Sequence, residues 1–304
     1  MKRDFLKIGD LTLDEHRALF HRAQTLKEAR KQRRVVTTMV GRTLVMILEK
    51  ASTRTRLSFE AAMWQLGGSC IDLQATSSQM SRGEPLADTA RVTGRYCDVV
   101  MMRTFADERL AEFARHCEVP VINGLTDGGH PVQILTDLFT IEERFGTLQG
   151  KTLAFVGDTA SNMGRSFVEA AAVFGFRLRL GSPKGHLPAS DVLAWAPGQV
   201  ECTHDAREAV AGVDVVITDV WTSMGQEAES AARITALGSY QVDAALMKLA
   251  SPKAVFLHCL PAHRGEEVTA DVIDGPQSAV WDEAENRMHI QKALLETLVQ
   301  GASH

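Results

Sequence analysis

Cysteine is scarce in this sequence, and nothing about its spacing suggests pairing. Cys70, Cys97, Cys117, Cys202 and Cys259 make an odd five with no C-x-x-C spacing. That argues against a disulfide framework and a zinc-finger-type site, and reduced thiols fit a cytoplasmic protein. No apolar run approaches the ~20 residues of a membrane-spanning helix, and Met1–Leu6 holds too short an apolar run for a secretory segment. A basic excess is also missing: 33 Lys and Arg stand against 38 Asp and Glu, a formal net charge of -5. Nucleic acid is therefore not expected as a partner. The run Arg30–Arg34 reads as the solvated end of a helix. No Walker A motif and no strand-linked G-x-G-x-x-G occurs; the glycines of Gly157–Gly164 stand too far apart for a dinucleotide loop. Internal repeats and low-complexity tracts are absent as well.

What remains is an ordinary globular composition, 304 residues with 45% hydrophobic and 23% charged, enough for about two domains. Short apolar runs of buried-strand length alternate with helical periodicity. Strands are expected at 43–48, 70–73, 99–102, 119–122, 153–156, 177–180, 214–218, 254–258 and 278–281. Helices are expected over Arg56–Leu66, Pro131–Phe145 and Ser161–Gly175, with Pro131 placed where a first turn tolerates its missing N–H. Such alternation implies parallel sheets covered on both faces. The expected fold class is α/β: two doubly wound parallel-sheet domains in series, 1–148 and 149–304. A last helix, about 287–300, is expected to pack back toward the first domain. The link is placed at Phe145–Lys151, between Gly146 and Gly150.

In doubly wound sheets ligands bind beyond the carboxyl ends of the strands. The loop after the first strand is the most informative of these. Ser52-Thr53-Arg54-Thr55-Arg56 leads from a strand into a helix N-terminus, where free N–H groups and the helix dipole favour an anion. Its hydroxyls add donors, and Arg54 offers a planar fork suited to phosphate oxygens. Taken singly, other polar residues have plain readings. Cys259 could be a small buried hydrophobe, Asp219 a strand-end cap, and His130 and His258 packed core histidines.

Five motifs in order change that weighting. Ser52–Arg56, Met101-Met102-Arg103-Thr104-Phe105, His130-Pro131-Val132-Gln133, Asp219–Gly225 and His258-Cys259-Leu260-Pro261 each fall on a strand-end loop. Together they resemble the aspartate/ornithine carbamoyltransferase family over Glu49–Met288, and within it the ornithine carbamoyltransferases. The resemblance implies a carbamoyl-phosphate-binding first domain and an ornithine-binding second one. It implies transfer of the carbamoyl group to the distal amine of L-ornithine, giving L-citrulline and phosphate, with biosynthesis of arginine favoured over its breakdown.

Site residues follow from the same resemblance. Ser52, Thr53, Arg54, Thr55 and Arg103 are implied to hold the phosphate, with Thr55, Arg103 and His130 reaching the carbonyl oxygen. Gln133 meets the carbamoyl amino group, while Arg287, Cys259 and Leu260 complete the carbamoyl-phosphate set. Gln79 is implied to reach a neighbouring subunit's phosphate, which makes the assembly a homotrimer with active sites at subunit interfaces. For ornithine the implied residues are Asn162 at the carboxylate, and Asp219, Ser223 and Met224 at the amino-acid end. Arg103, His130, Asp219 and Cys259 form the implied catalytic set, with Cys259 orienting the amine rather than acting covalently. The stretch Trp221–Glu229, rich in small and polar residues, reads as a lid. No metal and no organic cofactor is expected.

Overall fold

The computed structural model describes residues 2–74, 78–222 and 230–301. The chain forms two compact units, Met1–Thr136 with Glu285–His304, and Asp137–Ala284.

In the first unit, α1 (Leu13–Lys31) starts at a reciprocal cap. Glu15 N donates to the Thr12 hydroxyl at 3.3 Å, and Thr12 N donates to the Glu15 carboxylate at 2.8 Å. There follow β1 (Thr43–Leu48), α2 (Thr53–Gln65), β2 (Ser69–Gln74), α3 (Leu86–Gly94), β3 (Val99–Arg103), α4 (Asp107–His116) and β4 (Val121–Leu125). The helix α5 (Pro131–Phe145) then runs on into the second unit. The strands are parallel in the order β2-β1-β3-β4. Burial follows from that order. The inner strand β1 is buried from Leu44 onward and β3 until Arg103, whereas the edge strand β2 is only partly covered.

The second unit holds β5 (Thr152–Val156), α6 (Asn162–Phe174), β6 (Arg177–Gly181), α7 (Ser190–Leu193), β7 (Val200–Thr203) and α8 (Ala206–Val210). It continues with β8 (Val215–Ile217), α9 (Ser230–Leu237), α10 (Ala244–Met247), β9 (Val255–Leu257) and α11 (Ala270–Ile273), and opens α12 (Val280–Gly301). Its parallel sheet runs β7-β6-β5-β8-β9, with Ala154, Val156, Val216 and Phe256 in one core cluster. The two doubly wound sheets of the sequence reading are present.

Two elements differ from that reading. Ser278–Trp281 is not a strand. Ser278 makes a single parallel bridge to Phe256, and Val280 begins α12, with Asp282 and Glu283 placed to favour a helix N-terminus. Conversely, β7 was not expected, because its sequence VECT has no apolar run and it lies at a sheet edge.

Strand order also fixes where ligands can sit. In the first sheet the chain moves from β1 to one side (β2) and then to the other (β3), so the crest between β1 and β3 is a switch point. In the second sheet the equivalent crest lies between β5 and β8. Among the described residues, no helix is long and apolar enough to cross a membrane.

Candidate active site

At the first crest, Ser52 caps α2, accepting from Thr55 N at 3.4 Å. Arg103, the last residue of β3, reaches across and donates from Nη1 to Ser52 Oγ at 3.3 Å. Thr55 is buried in the first turn of α2, and Arg287 of α12 donates to its hydroxyl from Nη2 at 3.0 Å. The other Arg287 arm donates to the Gln133 side-chain oxygen. Gln133 and His130 lie at the start of α5, both buried. Ser52, Thr55, Arg103, Gln133 and Arg287 are thus joined by hydrogen bonds around one helix N-terminus, where backbone N–H groups are available to an anion.

Two further features complete this half-site. Arg54 is half-buried on the same turn and forms no hydrogen bond or ion pair with any described residue. Its fork is therefore available to a ligand. Burial, reinforced by the charges of Arg287 and Arg103, holds His130 well below the usual imidazole range. A neutral ring adds no third charge beside the two arginines and presents a hydrogen-bond donor. Thr53 is exposed at the helix start. Gln79 opens a short 3-10 turn, Gln79–Arg82, with an exposed side chain that bonds to none of these residues.

The crest is braced by Glu49 and Arg109, to which no motif pointed. Glu49, one residue past β1, accepts from Arg109 Nε at 3.0 Å and Nη2 at 2.6 Å, and from the Thr104 hydroxyl. Its own N–H donates to the Arg103 carbonyl at 2.9 Å, so one acidic residue ties the ends of β1 and β3 together. Burial opposes the charge on Glu49, but Arg109 and Thr104 outweigh it and hold the carboxyl below its ordinary range. The position of Glu49 beside the Ser52 loop was the only sequence signal.

In the second unit, Asp219 follows β8 and Cys259 follows β9. The Cys259 thiol donates to Asp219 Oδ1 at 3.1 Å, and Val220 N donates to the same oxygen at 2.8 Å. Burial pushes the Asp219 carboxyl up, against the pull of His258, the thiol and the Val220 N–H. Burial, and then the charge of Asp219, hold the thiol well above its ordinary range. Cys259 is therefore held as a protonated thiol that donates to Asp219.

The neighbouring residues fix this loop. Leu260 N donates to His258 Nδ1 at 2.9 Å, which leaves the proton on Nε2, 3.1 Å from Glu267 Oε1. His258 N donates to Glu283 at 3.0 Å. Leu260 sits at φ 60°, a region few L-residues adopt, and the bond to His258 holds it there. Glu267 and Glu283 are both buried, as carboxylates rarely are unless paired.

Asn162 is the first residue of α6, which Ser161 caps by accepting from Gly164 N at 3.3 Å. Ser223 and Met224, and with them most of the expected lid, lie outside the described residues. Metal-ligating atoms of Asp219, His258 and Cys259 lie within 4.8 Å of one another, as do those of His263, Glu266 and Glu267. In the first group the hydrogen bonds above already engage each residue.

Comparison with known proteins matches both units. Residues 3–143 match the sequence model of the aspartate/ornithine carbamoyltransferase carbamoyl-P binding domain, and residues 149–298 that of the Asp/Orn binding domain. The chain is 53% identical over 300 residues to ornithine carbamoyltransferase of Chromobacterium violaceum, covering 98% of this chain and 97% of that one. It is 50% identical to the anabolic ornithine carbamoyltransferase of Pseudomonas aeruginosa, with 99% of each covered. Among solved structures, ornithine carbamoyltransferase from Pyrococcus furiosus superposes with a TM-score of 0.94 at 45% identity, over 99% of this chain and 97% of that one.

Proposed function

Since the chain belongs to the aspartate/ornithine carbamoyltransferase family, we propose a reaction and an assignment of residues to its steps. The enzyme transfers the carbamoyl group of carbamoyl phosphate to the distal amine of L-ornithine, giving L-citrulline and phosphate. The anabolic direction, toward arginine, is supported by the relative that carries that name. One observation carries the assignment: Ser52, Thr55, Arg103, Gln133 and Arg287 are linked by hydrogen bonds at one helix N-terminus, with the Arg54 guanidinium left to a ligand.

Residues 1–148 form the carbamoyl-phosphate domain. Ser52, Thr53, Arg54, Thr55 and Arg103 hold the phosphate dianion. Thr55, Arg103 and neutral His130 donate to the carbonyl oxygen, which gains charge as the carbon becomes tetrahedral. Gln133 accepts from the carbamoyl amino group, and Arg287 orients Gln133 and Thr55. Residues 149–304 form the ornithine domain, except that the last helix, about 287–300, is counted with the first. Asn162 donates to the α-carboxylate, Asp219 with Ser223 and Met224 receives the amino-acid end, and Cys259 orients the distal amine, while Leu260 with Cys259 is assigned to carbamoyl phosphate.

That amine has a lysine-like pKa near ~10.4, so about one molecule in ~10³ is neutral at pH 7. The neutral form attacks the carbamoyl carbon, phosphate leaves with the electron pair of the broken C–O bond, and the proton shed by the attacking nitrogen goes to the departing phosphate. Phosphate is a good leaving group, so positioning and charge stabilisation carry the step without metal or organic cofactor. Carbamoyl phosphate binds first.

A homotrimer with Gln79 reaching a neighbouring subunit's site is part of the same reading. It is supported by exposed Leu57 and Trp64 on α2 and Ile71 on the edge strand β2, an apolar surface suited to another copy. A cytoplasmic location is supported by five cysteines that are all free.

Colorimetric ureido-product formation from carbamoyl phosphate tests the reading, with L-ornithine beside putrescine, N-acetyl-L-ornithine and L-aspartate. Strong preference for ornithine is the expected result. Preference for another acceptor would retain the phosphate half and discard the ornithine assignments, and no turnover with any of them would refute the reaction.

A further inference from the structure

Arg233 of α9 bridges two loops at the carboxyl crest of the second sheet. Its Nε donates to the Trp221 carbonyl at 2.5 Å, and its Nη2 donates to Asp158 Oδ2. Both side chains of the ion pair are largely buried, 14% and 12% exposed, so solvent screens the charges weakly. Asp158 also faces His186 Nδ1 at 3.4 Å. It opens the turn closed by Ser161 N donating to the Asp158 carbonyl at 3.4 Å, and the next residue is Asn162.

This placement poses an electrostatic problem. Asn162 is the residue assigned above to the acceptor's α-carboxylate, and a second carboxylate stands four residues before it on the same loop. Left uncompensated, the Asp158 charge would repel the acceptor carboxylate.

We infer that Arg233 is a specificity-determining positioning residue: by pairing with Asp158 and holding Trp221, it keeps the α-carboxylate end of the acceptor site open to an anion. The inference rests on the ornithine assignment of the preceding subsection. It goes further by predicting that the damage from losing Arg233 is confined to acceptors that carry the carboxylate.

The test is steady-state kinetics of the full chain with ornithine as acceptor. The inhibition constant of 1,4-diaminobutane, the same diamine without the carboxylate, and the Kd for carbamoyl phosphate are measured alongside. Arg233→Leu is expected to raise the ornithine KM about tenfold or more while the other two constants stay within about twofold. Adding Asp158→Asn should recover much of the lost affinity, because it removes the uncompensated charge. Equal weakening of ornithine and 1,4-diaminobutane, or an unchanged ornithine KM, would overturn the inference. Should Arg233→Leu fail to fold, Arg233→Lys decides. The charge is retained there, so the ratio of the two amine constants stays near wild type even if the Tm falls, and a collapsed ratio is the refuting result. Wild-type protein that does not carbamoylate ornithine would remove the premise, and this inference with it.

Discussion

The thiol of Cys259 donates to Asp219 Oδ1 at 3.1 Å, and this bond joins the ends of β8 and β9. It makes the cysteine a donor held in its protonated form, and it gives a half-buried carboxyl one of its few partners.

Removing that donor is costly. Cys259→Ala leaves Asp219 short of a bond of the kind worth about 1.5–3 kcal/mol, so kcat/KM for ornithine falls by roughly ten- to hundredfold. Cys259→Ser, which keeps an O–H donor, retains more activity than Ala. Kinetics of the two variants check the order, and mass spectrometry of the working enzyme should show no carbamoyl adduct on the thiol.

Rate should follow the acceptor's own titration. With only neutral amine reactive, kcat/KM for ornithine rises about tenfold per unit from about pH 6 toward 8. His130 adds no step in that window, because burial and two arginines hold it well below its ordinary range. A profile flat with pH at subsaturating ornithine would contradict both statements.

Loss of Arg54 strikes the phosphate half alone. Arg54→Ala removes charged hydrogen bonds worth about 1.5–3 kcal/mol each, weakening carbamoyl phosphate by at least roughly tenfold in titration calorimetry. Unchanged affinity would take Arg54 out of the site.

Acid sensitivity has a specific contributor in His289, fully buried on α12. Burial, then the charges of Lys292, Lys27 and Arg30, bring it down to about 3. The unfolded chain, with an imidazole near ~6.5, therefore binds this proton first. Stability is fully present above about pH 6.5 and is lost as the pH falls toward about 3. His289→Gln should flatten the drop in urea midpoint between pH 7 and pH 4; an unaltered drop would exclude the assignment.

Gly164 in the first turn of α6 has no room for a side chain, since a Cβ there would lie 2.0 Å from the Thr159 carbonyl oxygen. Gly164→Ala must displace the loop that carries Asn162, at a cost of about 1–3 kcal/mol. A lowered Tm and a raised ornithine KM are expected, with carbamoyl phosphate binding preserved.

Much of the architecture was legible because central parallel strands are apolar throughout. Thr43–Leu48 and Pro131–Phe145 stand in the structure at the expected bounds. Local pattern failed where two structures share one pattern. SAVW at 278–281 is as apolar as a strand, but the acidic residues after it and a single bridge leave it as the start of a helix. The edge strand β7 needs no apolar run, so periodicity passed over it. The same limit applies to the site. Ser52, Arg103, Asp219 and Cys259 lie in recognisable motifs, whereas Glu49, Glu267 and Arg233 are charged residues that sequence assigns to the surface. Only the fold reveals that they are covered and paired.

Arg287 reaches Thr55 and Gln133 from α12, in the last tenth of the chain. The phosphate half-site, though begun by the loop after the first strand, is therefore not whole until α12 has been synthesised. A ribosome-bound chain halted before α12 would carry the Ser52 turn and Arg103 without the guanidinium that bridges Thr55 and Gln133. Proteolytic trimming of the same helix would disarm a site whose remaining residues lie more than a hundred positions upstream.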